Sequence, residues 1–135
     1  MKSDEERFQT ASAATENIEQ HKWTKFLDEF TRQNRGAHAR LEVTGPEVGS
    51  QVEAEDRPLN GISADTKADE HSVSISFGSS AEDHFEHGIQ NVTAIRLRPA
   101  QGESGPTLEV VSRDGTRAVL ELSRPDAFAL PVSAG

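Results

Sequence analysis

The distribution of apolar residues changes once along the chain, at Gly36. Before this glycine, apolar residues recur at positions i, i+3, i+4 and i+7, which is the spacing of one stripe along a helix. These residues are Trp23, Phe26, Leu27 and Phe30. Charged residues occupy the positions between them, and Gly36 suits the left-handed conformation that ends many helices. The pattern predicts one amphipathic helix from about Ile18 to Asn34.

After Gly36, apolar and polar residues alternate in short segments, which is the pattern of half-buried strands. The segments are ARLEV at 39–43, QVEAE at 51–55, RPLNGIS at 57–63, HSVSISFG at 71–78, TAIRLR at 93–98 and the two halves of TLEVVSRDGTRAVLEL at 107–122. The last segment contains Asp114-Gly115, a pair typical of a type I′ hairpin turn. Strands do not alternate with helices, so a parallel sheet is disfavoured.

These elements predict a mainly β fold, namely a small antiparallel β-barrel or sandwich of about six or seven strands. The N-terminal amphipathic α-helix is expected to pack on it and to cover an open end or an edge of the sheet. We expect residues 18–123 to form a single helix-plus-β domain. Residues 1–17 form a mobile or weakly helical extension in this interpretation, and residues 124–135 form a C-terminal tail.

Composition narrows the possible functions of this domain. The 135 residues include no cysteine, which excludes disulfides, iron–sulfur clusters and cysteine-bound zinc. The 14 basic and 23 acidic residues give a net charge of −9, which disfavours nucleic acids and anionic lipids as partners. No apolar run has the length of a membrane span or of a signal peptide. We therefore expect a soluble, cytoplasmic protein without membrane or nucleic-acid partners.

The segment HFEHGI at 84–89 carries two histidines, and its conformation decides what they do. In a strand, His84 and His87 point to opposite faces, with His87 on the apolar side and His84 on the wet side. In a helical turn capped by Ser80 and Asp83, both imidazoles share one face and offer two ligands to a metal ion. The third ligand would be Asp65, His71 or Glu86. The β-rich surroundings favour the strand, and with it a protein without a metal or another cofactor.

Arginines on the last strands have two interpretations. Arg96 and Arg98 share a strand face, and Arg113 and Arg117 flank the final hairpin, so the four arginines form either an anion-binding patch or cross-strand ion pairs. Their partners in the second case are Glu109 and Glu121. The interleaving of acidic and basic residues favours the ion pairs.

Four segments resemble, in this order, the landmarks of a bacterial and archaeal family named domain of unknown function fifty-three thirty-five. They are WTKFLDEFTRQNRG, EVGSQVEAEDRPLNGI, HFEHGIQNVTAI and the DGT hairpin, and the likeness covers roughly residues 23–122. Shared motifs are PLxGI, here Pro58, Leu59, Gly61 and Ile62, and HxxHxI, here His84, His87 and Ile89. Many members have a proline after the asparagine that follows, where this chain has Val92. The family has no established activity, so the resemblance implies no catalytic residues.

The leading hypothesis is a domain that is not an enzyme and serves as an accessory or protein-interaction module, with an unknown protein partner and an open oligomeric state. The first alternative is a metal-binding site, or a metal-dependent hydrolytic one, that uses His84 and His87. The second is a β-barrel that holds a small ligand under the helix, against Trp23, Phe26 and Phe30.

Overall fold

The computed structural model describes residues 14–47, 49–66, 70–102 and 104–123. Within these ranges a short strand and a single 3₁₀ turn (Gln20–Lys22) precede one α-helix, and seven strands follow it. The helix is α1 (Trp23–Asn34). The strands are β1 (Glu16–Ile18), β2 (His38–Gly45), β3 (Gly49–Asp65), β4 (Ser72–Phe77), β5 (Phe85–Ile89), β6 (Val92–Arg98), β7 (Ser104–Ser112) and β8 (Arg117–Ser123).

The eight strands form one antiparallel sheet in the order β1-β6-β7-β8-β2-β3-β4-β5. The mainly β prediction is confirmed, but the sheet has eight strands and not six or seven. The predicted barrel or sandwich is wrong, because a sandwich needs two sheets and a barrel needs the two outermost strands to pair with each other. Here β1 and β5 are the outermost strands, and neither pairs with the other.

Strand β3 is long enough to serve two neighbours. Its first half pairs with β2 as far as Pro58, and its second half pairs with β4 from Leu59 onward. Between the halves Asp56 has a φ of 57°, and the register shifts on either side of this region. The sequence predicts two separate strands here, QVEAE and RPLNGIS, whereas the structure has one strand that bends at an irregularity.

The core lies on the inner face of the sheet and under the helix. The predicted alternation in β4 is confirmed, since Val73, Ile75 and Phe77 are all buried. Trp23, Leu27 and Phe30 of the helical stripe are buried too, and Phe26 packs at the margin of the core.

The helix begins later than the sequence predicts. Ile18 pairs with Ile95 in the sheet, and the Trp23 indole N–H donates a hydrogen bond to the Ile18 carbonyl at 2.9 Å. Because Ile18 is buried in a strand, α1 starts five residues further on. The sheet itself starts at Glu16, two residues before the predicted start of the domain. Residues 1–13 of the predicted extension and the tail at 124–135 lie outside the described residues.

Helix α1 covers an edge of the sheet, as predicted. The second half of β3 pairs with β4 along one side and with no described strand along the other. On that other side the Thr31 hydroxyl accepts a hydrogen bond from the Ile62 N–H (3.0 Å) and donates one to the Ile62 carbonyl (3.2 Å). The Arg35 Nε–H donates to the Asn60 carbonyl at 3.0 Å. Side chains of the helix therefore replace a neighbouring strand along this part of β3.

The final hairpin turns at the predicted place with a different geometry. A type I′ turn needs positive φ at both central residues. Gly115 has a φ of 94°, but Asp114 is not among the residues with positive φ. The Gly115 N–H donates to the Ser112 carbonyl, and the Ser112 N–H donates to the Thr116 carbonyl. The type I′ prediction is therefore wrong, because the loop has three residues and needs only one left-handed glycine.

Candidate functional site

The two histidines of HFEHGI lie in and just before β5, so the strand prediction is confirmed. His87 is opposite Ile75, which is fully buried, and it therefore lies on the inner side of the sheet. His84 is exposed and precedes the strand, and Glu86 points outward, where the Ser74 hydroxyl donates a hydrogen bond to it. The helical-turn alternative is wrong for this segment, and the two imidazoles do not share a face.

A tight turn, rather than a helix, leads into β5. The Asp83 carboxylate accepts hydrogen bonds from the backbone N–H groups of Ser80 (2.9 Å) and Ser79 (3.2 Å) and from the Ser80 hydroxyl. These bonds, first of all that from the Ser80 backbone, hold the pKa of Asp83 below its ordinary value. The Ser80–Asp83 contact suggested by the sequence exists, but it closes a turn and orders the approach to the strand.

The remaining candidate ligands lie apart from the pair. His71, which immediately precedes β4, contacts the Gln20 amide through Nε2 at 2.8 Å and packs edge-on against the Trp23 ring. Asp65 is opposite Ser72 at the end of β3. The described ranges contain no group of three or more histidine, aspartate or glutamate residues able to hold a metal ion.

The register shows which backbone groups of β5 face outward. Thr31 binds both backbone groups of Ile62, so these groups point away from β4. In an antiparallel sheet the direction of bonding alternates along each strand. Ile75 lies opposite Ile62, so its N–H and C=O point away from β3 and toward β5. His87 lies opposite Ile75, so its N–H and C=O point toward β4. It follows that the N–H and C=O groups of Glu86 and Gly88 point away from the sheet.

This outer side of β5 is an open sheet edge within the described part of the chain. No described strand pairs with it, whereas α1 covers the free side of β3 and β1 is only three residues long. The opening is short, because the Gln90 carbonyl already accepts a hydrogen bond from the Ser112 hydroxyl at 2.8 Å. The sequence analysis did not identify this role of Gly88, because the outward direction of its backbone groups follows only from the register across β3, β4 and β5.

Charged side chains pair across the outer face of the sheet. Arg96 and Arg117 both contact the Glu109 carboxylate, at 3.2 and 2.9 Å, which confirms the ion-pair interpretation for these two arginines. Arg40 lies between carboxylates, 3.1 Å from Glu42 and 4.0 Å from Glu121. Such exposed pairs neutralise the face more than they stabilise the fold.

Open cavities adjoin α1. A polar cleft of about 470 Å³ lies between α1 and the outer face of β3, β4 and β5, and Arg32, Arg35 and Glu86 are among its lining residues. A groove of about 870 Å³ runs between β1 and α1 and is lined partly by Phe26. Of the residues predicted to hold a ligand under the helix, Trp23 and Phe30 are 2% and 5% exposed, respectively, and lie within the core.

The protein is therefore of the mainly β class, with one antiparallel sheet, a helix over part of that sheet, and an open edge at β5. The family model described as "Family of unknown function (DUF5335)" matches residues 14–131, and the chain belongs to this family. An uncharacterised protein of Aquifex aeolicus (strain VF5) is 33% identical over 118 residues, which are 87% of this chain and 98% of that protein. No solved structure matches the chain. No helix in the described ranges is long and apolar enough to cross a membrane.

Proposed function

We propose that this protein is a non-catalytic interaction module that binds an extended segment of a protein partner along the outer side of β5. The observation that supports this function is the pair of residues Glu86 and Gly88, whose backbone groups point away from β4 on the side of β5 where no described strand pairs. An extended peptide that adds to a sheet edge gains main-chain hydrogen bonds from such groups. Natural sheets usually cover or interrupt their edges, so a regular open edge marks a docking position.

The side chains of β5 indicate which segments fit. Phe85 is half-buried and stacks on Phe77 with ring centroids 5.9 Å apart, and Ile89 is buried on the same inner side. A partner strand that places apolar side chains on this side extends the core laterally. On the outer side Glu86 carries a negative charge, which disfavours an acidic residue directly opposite it. The partner segment therefore alternates apolar residues with neutral or basic ones.

The non-catalytic part of the proposal is supported by the opposite orientations of His84 and His87, which do not converge on a shared reaction site. Composition supports a soluble protein in the cytoplasm that uses neither nucleic acid nor lipid as its partner. A screen of the purified protein for esterase, phosphatase and nuclease activity tests this part, and no turnover is expected. Turnover that disappears in both His84→Ala and His87→Ala would refute it.

Crosslinking from a defined position tests the binding edge. A photo-reactive amino acid replaces Glu86 in the producing cell, and in a matched control it replaces Gln51, which is exposed on the half of β3 that pairs with β2. A protein captured from position 86 and not from position 51 is expected. Capture should be lost when Gly88→Pro is added, because proline lacks the outward N–H and leaves the β4–β5 bonds intact. Equal capture from both positions, or capture that survives Gly88→Pro, would contradict the proposal.

A further inference from the structure

We infer that the partner strand at this edge is β5 of a second copy of this chain, paired antiparallel about His87. The inference rests on the proposed function, since it names the partner of the same edge. In this arrangement the two sheets join edge to edge through a two-fold axis, as in an isologous dimer.

Hydrogen bonding supports the two-fold axis at His87. Residues that face each other about this centre have numbers that sum to twice 87, so Glu86 of one copy lies opposite Gly88 of the other. These are the two residues whose backbone groups point outward, and facing residues of this kind exchange both N–H···O=C bonds. The two Glu86–Gly88 pairs therefore satisfy every outward group of both residues in each copy, and the two His87 residues meet at a non-hydrogen-bonded position.

Side chains also match about this centre. Phe85 of one copy lies opposite Ile89 of the other on the inner side, so an apolar side chain meets an apolar one. Glu86 meets a glycine on the outer side, so no like charges face each other. Gly88 also has room around it, because a Cβ built there would meet only the Gln90 Nε2, at 3.8 Å.

A two-fold axis at Glu86 or at Gly88 would also keep the inner faces of the two sheets on the same side, but both fit less well than an axis at His87. Centring the pair on Glu86 places two carboxylates directly opposite each other, which is destabilising. Centring it on Gly88 pairs Glu86 with Gln90, whose carbonyl already accepts the Ser112 hydroxyl. A one-residue slip between these centres would place the inner side of one copy on the outer side of the other. His87 is the centre that avoids all three costs.

Sedimentation velocity at neutral pH and low salt tests the inference on the full chain. We expect the average mass to rise from 14.7 kDa toward twice that value as the protein concentration increases to about 1 mM, a range in which weak edge pairing becomes populated. Gly88→Pro should keep the protein at the monomer mass, because it removes an outward N–H from each copy.

A matched pair of charge variants tests the register. Gly88→Glu places a carboxylate opposite Glu86 of the second copy and should weaken the dimer, whereas Gly88→Lys places an ammonium there and should strengthen it. Each change forms two cross-strand charge pairs per dimer, so we expect shifts of about threefold to tenfold in opposite directions. The peptide pairing of β5 with β4 is unaffected in both variants, because Gly88 directs its backbone groups outward.

A mass of 14.7 kDa at every concentration would overturn the inference. A dimer that persists in Gly88→Pro, or that responds in the same direction to both charges, would also overturn it, because its interface would lie elsewhere. If the protein remains monomeric while position 86 still crosslinks to another protein, only the second-copy inference fails. If position 86 captures nothing and the chain is monomeric, the proposed function fails as well.

Discussion

Replacing Thr31 with valine isolates the contact through which α1 covers the sheet. Valine has nearly the shape of threonine but lacks the hydroxyl, and both residues have similar helix propensities. The Thr31 hydroxyl serves the N–H and the C=O of Ile62 together, and both residues are buried, at 7% and 4% exposure. Thr31→Val therefore leaves two buried backbone groups without a partner.

The cost follows from these two groups. A buried donor or acceptor that loses its partner costs about 1–3 kcal/mol, so the loss of two such partners should lower the free energy of unfolding of Thr31→Val by about 2–6 kcal/mol. Thr31→Ser is the matched control, because it keeps the hydroxyl and removes one methyl group. Its expected cost is about 1 kcal/mol.

Urea unfolding measures the difference, with fluorescence of Trp23, the one tryptophan of the chain, as the probe. Since Trp23 is buried in the folded protein, its emission should change when the helix separates from the sheet. Equal stabilities of Thr31→Val and Thr31→Ser would refute the reasoning, since the hydroxyl would then contribute no more than the methyl group.

Three other changes test separate parts of the structure. Gly105→Ala should destabilise the fold by at least about 2 kcal/mol in thermal or urea unfolding, because a Cβ there would lie 2.2 Å from the Leu122 carbonyl oxygen; the same change at the glycine of β5 should be nearly neutral. The pKa of Asp83 is lower in the folded protein than in the unfolded chain, so its carboxylate stabilises the fold. This stabilisation is complete above the unfolded pKa of about 3.9 and is lost as the pH falls through the lower pKa of the folded protein. Asp83→Asn should therefore be less stable than wild type at pH 7 and approach it in acid, and a constant difference across pH would contradict this. Zinc should not raise the melting temperature, because His84 and His87 do not share a face; a rise that is lost in His87→Ala would show the opposite.

Local patterns predicted much of the fold correctly. The stripe from Trp23 to Phe30 is buried as its spacing indicates, and the alternation in β4 and β5 assigns the correct residues to the core. The likeness to the family was also visible in the sequence, although the family match begins earlier and ends later than the segments that suggested it. These features depend on side-chain periodicity, which the sequence displays directly.

Features that depend on distant pairing were not predictable from the sequence. The helix was predicted to begin at about Ile18, but the pairing of Ile18 with Ile95 places this residue in a strand. Strand β3 continues through a bend at Asp56, where the sequence predicted two separate strands. The bend needs a positive φ at this non-glycine residue, and no local sequence pattern indicates it. Whether the sheet closes is decided by its outermost strands, and the outward direction of Gly88 follows only from the register across β3, β4 and β5.

Amide hydrogen exchange in β5, measured by NMR on dilute monomeric protein, tests the open edge most directly. The account predicts an alternation in which the His87 amide is protected by its bond to β4, while the Glu86 and Gly88 amides exchange rapidly with solvent. Slow exchange at Glu86 and Gly88 in the monomer would contradict the account, because these groups would then already have partners within the chain.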